Sequence, residues 1–249
     1  MLNNQGKIKI VILAGGKGKR MQSELPKVLV SLKGKPMISH IISEIQKISD
    51  QKPIAIIGHK AELVQSELGD LCFYALQAEQ LGTGHAVSCA KGGCEDAEQI
   101  VVLSGDQPFI SAKTIVDLIE KQINTKAKIT FTTTEVSDFI DWRKAFLGFG
   151  KILRKNGEVV GIKEVKDATD EEKNIKEVNA GCYCFDAEWL WKNLSKIKDD
   201  NNQKEYYLTD LFKIAGGEGE KIETIKINNH EALGANSKEE LEILENFAV

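Results

Sequence analysis

The residues best suited to chemistry are a glycine-rich turn and the positive charges around it. The apolar run Ile8–Ala14 is followed directly by residues 15–20, with the sequence GGKGKR, and Lys27 comes seven residues later. Glycines let a backbone approach a ligand closely, and its N–H groups together with lysine and arginine side chains attract phosphate. In open α/β sheets such ligands bind beyond the carboxyl ends of the strands. The segment therefore predicts a phosphate-binding turn.

Two common phosphate-binding motifs do not fit this turn. No G-x-x-x-x-G-K-[ST] sequence can be read here, and the third residue after Gly18 is Met21 rather than glycine. A P-loop and a dinucleotide fingerprint are thereby excluded. The structural alternative is a turn that merely joins a strand to a helix, and the cluster of four cations argues against it.

Asp106 is a second candidate, because it follows the short apolar stretch 100–103. A carboxylate at the same sheet edge as bound phosphates typically holds Mg²⁺, which bridges a few protein oxygens and the phosphates. The alternative is an aspartate that caps the turn before Pro108.

Other kinds of active site are not indicated. The histidines at 40, 59, 85 and 230 lack zinc-ligand spacing, and no G-x-S-x-G elbow occurs. We interpret His85 as a first-turn helix residue. The cysteines at 72, 89, 94, 182 and 184 form no C-x-x-C pair and are predicted to be reduced thiols. Cys182 and Cys184 should share one buried face of a strand.

The elements that must position these residues alternate between strand and helix. Strands are predicted at 8–14, 54–58, 71–76, 100–103 and 129–134, and helices at 38–48, 60–68, 85–91 and 111–124, the last with Ser111 as N-cap. Strands separated by helices of this length predict right-handed crossovers and a mostly parallel sheet.

The second half of the chain changes character. Residues 149–153 and 159–165 flank Asn156-Gly157, which predicts a hairpin. The charge-rich segment 166–176 is predicted to face solvent. After it we predict a strand at 178–185, helices at 187–194 and 206–214, a strand at 221–227 and a last helix capped by Ser237. We predict one α/β domain over residues 1–249, with a Rossmann-like, mostly parallel mixed sheet flanked by helices. The later portion should supply the second wall of a cleft.

Composition narrows the class of protein. The 249 residues include 33 Lys plus Arg and 37 Asp plus Glu, a net charge of −4, which argues against coating nucleic acid or an anionic membrane. The hydrophobic share of 42% supports a folded core without a metal or disulfide scaffold. No apolar stretch is long enough to cross a bilayer, and residues 1–9 lack a signal-peptide pattern. These features predict a soluble, cytoplasmic protein.

The motifs together resemble the sugar-1-phosphate nucleotidyltransferase family. Residues 13–21 (LAGGKGKRM) and 25–29 (LPKVL) are similar to the signature of that family. Four further segments, 76–86 (LQAEQLGTGHA), 105–106 (GD), 166–171 (KDATDE) and 205–210 (EYYLTD), narrow the resemblance to one branch. This branch is the uridylyltransferase domain of the bacterial bifunctional enzyme that makes UDP-N-acetylglucosamine. The resemblance covers about residues 7 to 240.

The resemblance implies a Mg²⁺-dependent transfer of UMP from UTP to N-acetyl-α-D-glucosamine-1-phosphate, with release of pyrophosphate. It assigns the uridine to Leu13, Ala14, Gly15, Gly16, Gln77, Gly82 and Thr83. It assigns catalysis to Arg20, Lys27 and Asp106, and the metal to Asp106 and Asn236. It assigns the ribose and sugar region to Ser104, Gly105, Gly150, Glu164 and Asn179. Residues 7–135 would then form the nucleotide-binding portion and residues 145–240 the sugar-binding portion. The Gln77 amide is expected both to donate to the uracil edge and to accept from it.

The sequence departs from the family at Gly15, usually alanine, at Ser104, usually aromatic, and at Ala180, usually threonine. The last two are expected to remove bulk near the sugar pocket, and the segment 137–147 is longer than usual. The bifunctional family continues into a left-handed β-helix of hexapeptide repeats, which this sequence lacks. Acetyltransferase activity and the trimer of that domain are therefore expected to be absent, and the oligomeric state is left open.

Three other functions are compatible with parts of the sequence. One is uridylyl transfer to another sugar-1-phosphate, such as glucose-1-phosphate. Another is a catalytically silent protein that binds nucleotide sugars, although the presence of Arg20, Lys27, Asp106 and Asn236 favours an enzyme. The third is a cytidylyl- or molybdopterin-nucleotide transferase, which would share the glycine-rich turn but not residues 77–85.

Overall fold

A mixed β-sheet runs through the centre of the protein, whose computed structural model describes residues 7–248. Residues 1–6, on which much of the signal-peptide prediction rests, lie outside the described residues. The strands, in chain order, are β1 (Ile8–Ala14), β2 (Ser31–Leu32), β3 (Lys35–Pro36), β4 (Ile54–Ile57), β5 (Phe73–Leu76), β6 (Gln99–Ser104), β7 (Ile129–Glu135), β8 (Lys151–Lys155), β9 (Glu158–Lys163), β10 (Glu177–Asp186) and β11 (Ile222–Lys226).

The order of strands in the sheet is β11-β7-β10-β6-β1-β4-β5. Strand β8 pairs with β10, β9 pairs with β8, and β2 and β3 form a separate two-stranded sheet. Strand β1 is parallel to β4 and β6, β4 to β5, and β7 to β11. Strand β10 is antiparallel to β6, β7 and β8. The predicted mostly parallel mixed sheet is confirmed, and the parallel strands β1, β4, β5 and β6 bring their carboxyl ends to one edge.

Helices cover both faces of this sheet. They are α1 (Met37–Gln46), α2 (Ala61–Leu68), α3 (Thr83–Cys89), α4 (Ala112–Thr125), α5 (Asp170–Lys173), α6 (Ala187–Asn193), α7 (Asp210–Glu218), α8 (Asn229–Ala232) and α9 (Lys238–Phe247). Short 3₁₀ helices occur at Lys19–Met21, Lys27–Leu29, Gly69–Leu71, Lys91–Gly93, Asp141–Gly148, Val165–Asp167 and Leu194–Lys196. No helix within residues 7–248 has both the length and the apolar character needed to span a membrane.

Capping residues define where two of these helices begin. Ser111 precedes α4, and its hydroxyl accepts a hydrogen bond from the Thr114 N–H at 3.1 Å. Ser237 does the same for α9, where the donor is the Glu240 N–H at 3.3 Å. Each cap satisfies an N–H that the helix itself leaves without a partner. Both predicted caps are confirmed.

Strand β10 shows how the core divides between the two faces of the sheet. Its side chains alternate, so that Cys182 and Cys184 lie in the apolar layer with α1 and α4, while Tyr183 and Phe185 lie in the layer with α6 and α7. The two cysteines are buried on one face, as predicted. All five cysteines of the chain are free thiols, as also predicted.

The predicted helix over 206–214 is wrong at its beginning. Helix α7 begins at Asp210, and the backbone before it bonds to the segment after β5. The Tyr206 N–H donates to the Leu81 carbonyl at 2.7 Å, and the Tyr206 carbonyl accepts from the Gly84 N–H at 2.7 Å. These tertiary bonds replace the first turn of the predicted helix.

The long segment 137–147 packs against the C-terminal helices. It contains the 3₁₀ helix Asp141–Gly148, and the Trp142 ring lies 5.0 Å from the His230 ring and 4.9 Å from the Phe247 ring. Aromatic pairs at these distances add to the stabilisation gained from burial. The segment thus connects the region before β8 with α8 and α9.

Candidate active site

A cavity of about 710 Å³ opens at the carboxyl ends of β1, β5 and β6. It lies where the parallel part of the sheet places its loops, which is where open α/β sheets bind ligands. The residues predicted from the sequence that line it are Leu13, Gly15, Gly16, Lys27, Gln77, Gly82, Thr83, Ser104 and Asp106.

The glycine-rich turn brings Lys27 into this cavity. Gly18 has a φ of +58°, in the left-handed region that glycine adopts readily. A Cβ atom at this position would lie 2.7 Å from the Cβ of Lys27, so a side chain here would collide with the lysine. Lys27 itself begins the 3₁₀ helix Lys27–Leu29 after Pro26. The turn therefore lies directly against the backbone that carries the predicted catalytic lysine.

The Lys27 amino group joins the two residues predicted to hold the metal. It donates to Asp106 Oδ2 at 2.6 Å and to Asn236 Oδ1 at 2.7 Å. The Lys27 and Asp106 side chains are 17% and 14% exposed, so this interaction is only partly screened by solvent.

Two backbone hydrogen bonds fix the positions of Asp106 and Asn236, whose side-chain oxygens accept from Lys27. Gly105 donates its N–H to the Leu13 carbonyl at 3.0 Å, which ties the end of β6 to β1. Ala235 donates its N–H to the Asp106 carbonyl at 3.2 Å, which brings the neighbouring Asn236 to the same place. One charged and one neutral oxygen thus face a single positive charge.

This donor pair fits a divalent cation of the Mg²⁺ type. Hard oxygens are the ligands that Mg²⁺ prefers, and it usually takes the rest of its octahedron from water and substrate phosphates. Within residues 7–248, no three His, Cys, Asp or Glu side chains form a metal-binding group. A cation held by Asp106 and Asn236 would therefore depend on oxygens from a ligand.

Gln77 occupies another part of the cavity wall and is nearly buried, with 4% exposure. Its Nε2 donates to the Gly82 carbonyl at 3.0 Å and lies 3.2 Å from His85 Nδ1. Its Oε1 lies 3.0 Å from the position that a Cβ of Gly15 would take. One N–H of this amide is therefore taken by the Gly82 carbonyl, and the expectation that the amide both donates to the base and accepts from it stays a prediction.

The loop that holds Gln77 is clamped from the second half of the chain. Gly82 has a φ of +113°, and a Cβ there would lie 2.6 Å from the Tyr206 carbonyl oxygen. The Thr83 hydroxyl accepts from the Leu208 N–H at 2.9 Å. The segment before α7 therefore holds the Gly82–Thr83 backbone in place.

Three residues predicted to hold the sugar meet beside the cavity, although they are not among its lining residues. A Cβ on Gly150 would lie 3.4 Å from Glu164 Oε1 and 3.7 Å from the Asn179 Cβ. The Asn179 N–H donates to the Gly150 carbonyl at 2.8 Å, and its side-chain amide donates to the Tyr183 hydroxyl at 2.6 Å. The residues thus converge, and Asn179 is held by the protein itself.

Glu164 is the acidic group of this set. Burial raises the pKa of its carboxyl, and the neighbouring carboxylates Asp210, Asp167 and Glu205 raise it further. A hydrogen bond donated by the Thr209 hydroxyl at 2.8 Å acts in the opposite direction. Its charge is therefore retained less easily than that of an ordinary carboxylate.

Several predicted residues lie outside the cavity lining. Ala14 is buried at the end of β1, Gly105 lies behind Asp106, and Arg20 is exposed in the 3₁₀ helix after the glycine turn. Ala180 has no exposed surface and belongs to an apolar cluster with Val178. Ser104 lines the cavity and Ala180 does not, so the expected effect of Ala180 on the sugar pocket stays a prediction.

Four polar residues that line the cavity had no predicted role: Gln80, Lys166, Gln203 and Glu205. Lys166 contacts the Gln203 side chain, and Asn202 Nδ2 donates to the Lys166 carbonyl at 2.8 Å. Segment 166–176 contains no buried residue, as predicted, and the exposed Lys166 also borders the cavity. Its charge-rich composition gave no signal for this contact, which depends on a partner 37 residues away.

The fold is that of an α/β nucleotidyltransferase. A crystal structure from Bacillus anthracis, named provisionally as a glucose-1-phosphate thymidylyltransferase and solved with sucrose, superposes with a TM-score of 0.75. The match covers 97% of this chain and 95% of that chain at 19% sequence identity, so it shows the fold alone. The chain belongs to the MobA-like NTP transferase domain family, whose sequence model matches residues 10–160.

Among curated proteins, the chain is similar to bifunctional protein GlmU from several bacteria. It is 43% identical to the protein from Bacillus licheniformis over 232 residues, which are 92% of this chain and 49% of that protein. It is 41% identical to that from Syntrophotalea carbinolica, over 93% and 49%, and 40% identical to that from Bacillus subtilis, over 95% and 51%. The chain spans about half the length of these relatives. The resemblance drawn from the motifs is confirmed.

Proposed function

We propose that the protein transfers UMP from UTP to N-acetyl-α-D-glucosamine-1-phosphate and releases pyrophosphate, with Mg²⁺ as cofactor. The observation that carries this proposal is one cavity lined by both a base-binding amide and a phosphate-binding pair. Gln77 and Gly82 lie on its wall together with Lys27 and Asp106. A nucleoside triphosphate has a base and phosphates to fill both parts, and 40–43% identity to GlmU proteins supports the uridine and amino-sugar assignments.

The reaction needs no covalent enzyme intermediate, because the attacking group is already an anionic phosphate. A phosphate oxygen of the sugar phosphate forms a bond to the α-phosphorus of UTP. The bond from that phosphorus to the bridging oxygen breaks, and the electron pair leaves with pyrophosphate. The task of the protein is therefore to position two anions and to neutralise the charge between them.

Lys27 is the residue best placed for this task. Its amino group lies inside the cavity and carries a positive charge that a phosphate oxygen can share with Asp106 and Asn236. Lys17 also lines the cavity, and Arg20 is exposed two residues beyond Gly18. These cations would reduce the repulsion between the triphosphate and the incoming sugar phosphate.

Asp106 and Asn236 would hold the Mg²⁺ ion. When bound, the ion supplies positive charge to the phosphate oxygens and screens their repulsion. Both oxygens now share the Lys27 ammonium, so the lysine and the ion have the same two partners. The resemblance of the motifs to the nucleotidyltransferase family implies Mg²⁺, which supports the assignment.

The sugar would bind where Gly150, Glu164 and Asn179 converge. Glu164 can accept hydrogen bonds from sugar hydroxyls, and Gly150 leaves room beside it. We propose residues 7–135 as the nucleotide-binding portion and 145–240 as the sugar-binding portion of one domain. The Tyr206–Leu208 segment, which clamps the Gly82 loop, would join the two portions.

A grid of substrates tests the proposal. Pyrophosphate release is measured with four nucleoside triphosphates against N-acetylglucosamine-1-phosphate and glucose-1-phosphate, with and without Mg²⁺. Lys27→Met serves as the inactive variant, and Lys33→Met, at an exposed turn, as its matched control. We expect turnover with UTP and N-acetylglucosamine-1-phosphate only when Mg²⁺ is present. Turnover with glucose-1-phosphate instead would change the acceptor, and no turnover with any pair would leave a nucleotide-sugar-binding protein.

A further inference from the structure

His85 contacts the residue that faces the base, although its position gave no hint of a function. It is the third residue of α3, and its Nδ1 lies 3.2 Å from Gln77 Nε2. The same nitrogen of Gln77 donates to the Gly82 carbonyl at 3.0 Å. That carbonyl also accepts the first helical hydrogen bond of α3, from the Ala86 N–H at 3.0 Å, so its direction is fixed by the helix.

The two contacts determine the orientation of the Gln77 amide. Rotating the amide by half a turn would put Oε1 against the Gly82 carbonyl oxygen, and two acceptors repel each other. Nε2 therefore faces Gly82, and since an amide nitrogen only donates, His85 Nδ1 must accept. The imidazole is then neutral, with its proton on Nε2.

The consequence is that Gln77 presents only an acceptor to the cavity. Both of its N–H groups are occupied, by Gly82 and by His85, and Oε1 is what remains. Uracil carries an N–H donor at N3, which matches this acceptor. Cytosine carries a lone pair at N3, which would face Oε1 without a proton between them.

We infer that His85 is a positioning residue for base selection, which occupies the second N–H of Gln77 so that the site accepts a uracil-type edge and rejects cytosine. This inference rests on the proposed function for its substrate and goes beyond it in naming a group that never touches the base. Without the acceptor at residue 85, only the Gly82 carbonyl would hold the amide, which would then rotate more easily and offer an N–H to cytosine N3. Selectivity would then fall, while the phosphate and sugar contacts would stay as they are.

Two substitutions at this position separate the inference from a merely structural role. His85→Ala removes the acceptor, and His85→Asn keeps one, because the Asn oxygen takes about the place of Nδ1. Ser88→Ala is the matched control, since Ser88 lies on the same helix and its hydroxyl donates to the His85 backbone carbonyl rather than to the imidazole. The readouts are kcat/KM for UTP and for CTP, and KM for the sugar phosphate.

We expect the preference for UTP over CTP to fall about tenfold or more in His85→Ala, the range of one mispaired hydrogen bond. It should recover in His85→Asn and stay unchanged in Ser88→Ala. The KM for the sugar phosphate should change little in all three. An unchanged preference in a folded His85→Ala variant would overturn the inference.

A second measurement does not depend on activity. Imidazole ¹⁵N resonances of the wild-type protein distinguish a protonated nitrogen from an unprotonated one, and we expect the proton of His85 on Nε2. A proton on Nδ1 would overturn the inference even if the enzyme prefers UTP. If the wild-type protein does not use UTP, the proposed function fails, and the ¹⁵N result still decides the His85–Gln77 contact.

Discussion

Lys151 has no exposed surface, so replacing it with methionine tests the cost of burying an ammonium group in this fold. It begins β8, directly after Gly150, and its amino group donates to the Phe146 carbonyl at 3.2 Å and lies 4.3 Å from the centre of the Phe139 ring. Lys176 lies over the same ring at 4.0 Å. Burial, and to a smaller extent the charge of Lys176, together lower the pKa of Lys151 from 10.5 to about 8.

The sign and size of the effect follow from this pKa. Between pH 8 and pH 10.5 the unfolded chain keeps the Lys151 proton while the folded protein releases it. The free energy of unfolding therefore rises with pH in this window, and below it the full cost of the buried charge is present. A tenfold change in a protonation equilibrium is worth about 1.4 kcal/mol. Raising the pH from about 7 to 10 should stabilise the wild type by about 2 to 3 kcal/mol relative to Lys151→Met.

Denaturant unfolding at pH 7, 8, 9 and 10 measures this difference. Lys155→Met is the matched control, because Lys155 lies on the same strand and is exposed. Other groups that titrate at high pH are common to all three proteins, so they cancel in the comparison. A wild-type minus Lys151→Met difference that is the same at pH 7 and pH 10 would refute the reasoning.

Three further predictions concern the site. Asp106→Asn should lower pyrophosphate release by about a hundredfold or more at saturating Mg²⁺. It should shift the thermal transition little, because the Asn oxygen can still accept a hydrogen bond from Lys27. Near-normal release would remove Asp106 from the metal site. Because the Glu164 pKa is raised, this carboxylate becomes protonated at a higher pH than an ordinary carboxyl group, so the KM for the sugar phosphate should begin to increase at that higher pH on acidification. Glu164→Gln should have a high KM that lacks this pH dependence. Identical pH profiles for the two proteins would contradict the role of Glu164. Gly150→Ala should raise the KM for the sugar phosphate, because the new Cβ would lie 2.8 Å from an Ile162 methyl and 3.4 Å from Glu164 Oε1. The KM for UTP should stay constant. A change confined to the KM for UTP would contradict the placement of the sugar beside Gly150.

The sequence predicted best what depends on local patterns. The first strand coincides with β1, and the isoleucine spacing gives a helix whose Ile38, Ile41 and Ile45 are buried. The hairpin turn is confirmed by Asn156 and Gly157, whose φ angles are 53° and 85°. In each case, neighbours within a few residues decide the backbone conformation. The two-residue strands β2 and β3 were missed, because they are too short to show a periodic pattern.

The features that could not be predicted from the sequence depend on contacts between segments far apart in the chain. The start of helix α7 was misplaced because Tyr206 bonds to Leu81 and Gly84 instead of beginning a turn. His85 and Lys166 gave no local signal, and each acquires its partner only through the fold. Composition shows that such side chains are polar, and only the tertiary structure shows which atoms they meet.

The bonds of Lys27 also have a consequence for the time at which the site forms. They connect positions separated by 79 and 209 residues in the chain. Gln107 docks the intervening segments, because its side-chain amide donates to the Ala180 carbonyl at 2.9 Å and to the Ala232 carbonyl at 3.2 Å.

Contacts of such long separation form late, because large loops must close before they are made. A nascent chain that has left the ribosome as far as β7 contains the glycine turn and Asp106 but not Asn236. In refolding experiments, helical structure should therefore return before the oxygen pair at Lys27 is complete, and catalytic competence should be among the last properties to recover.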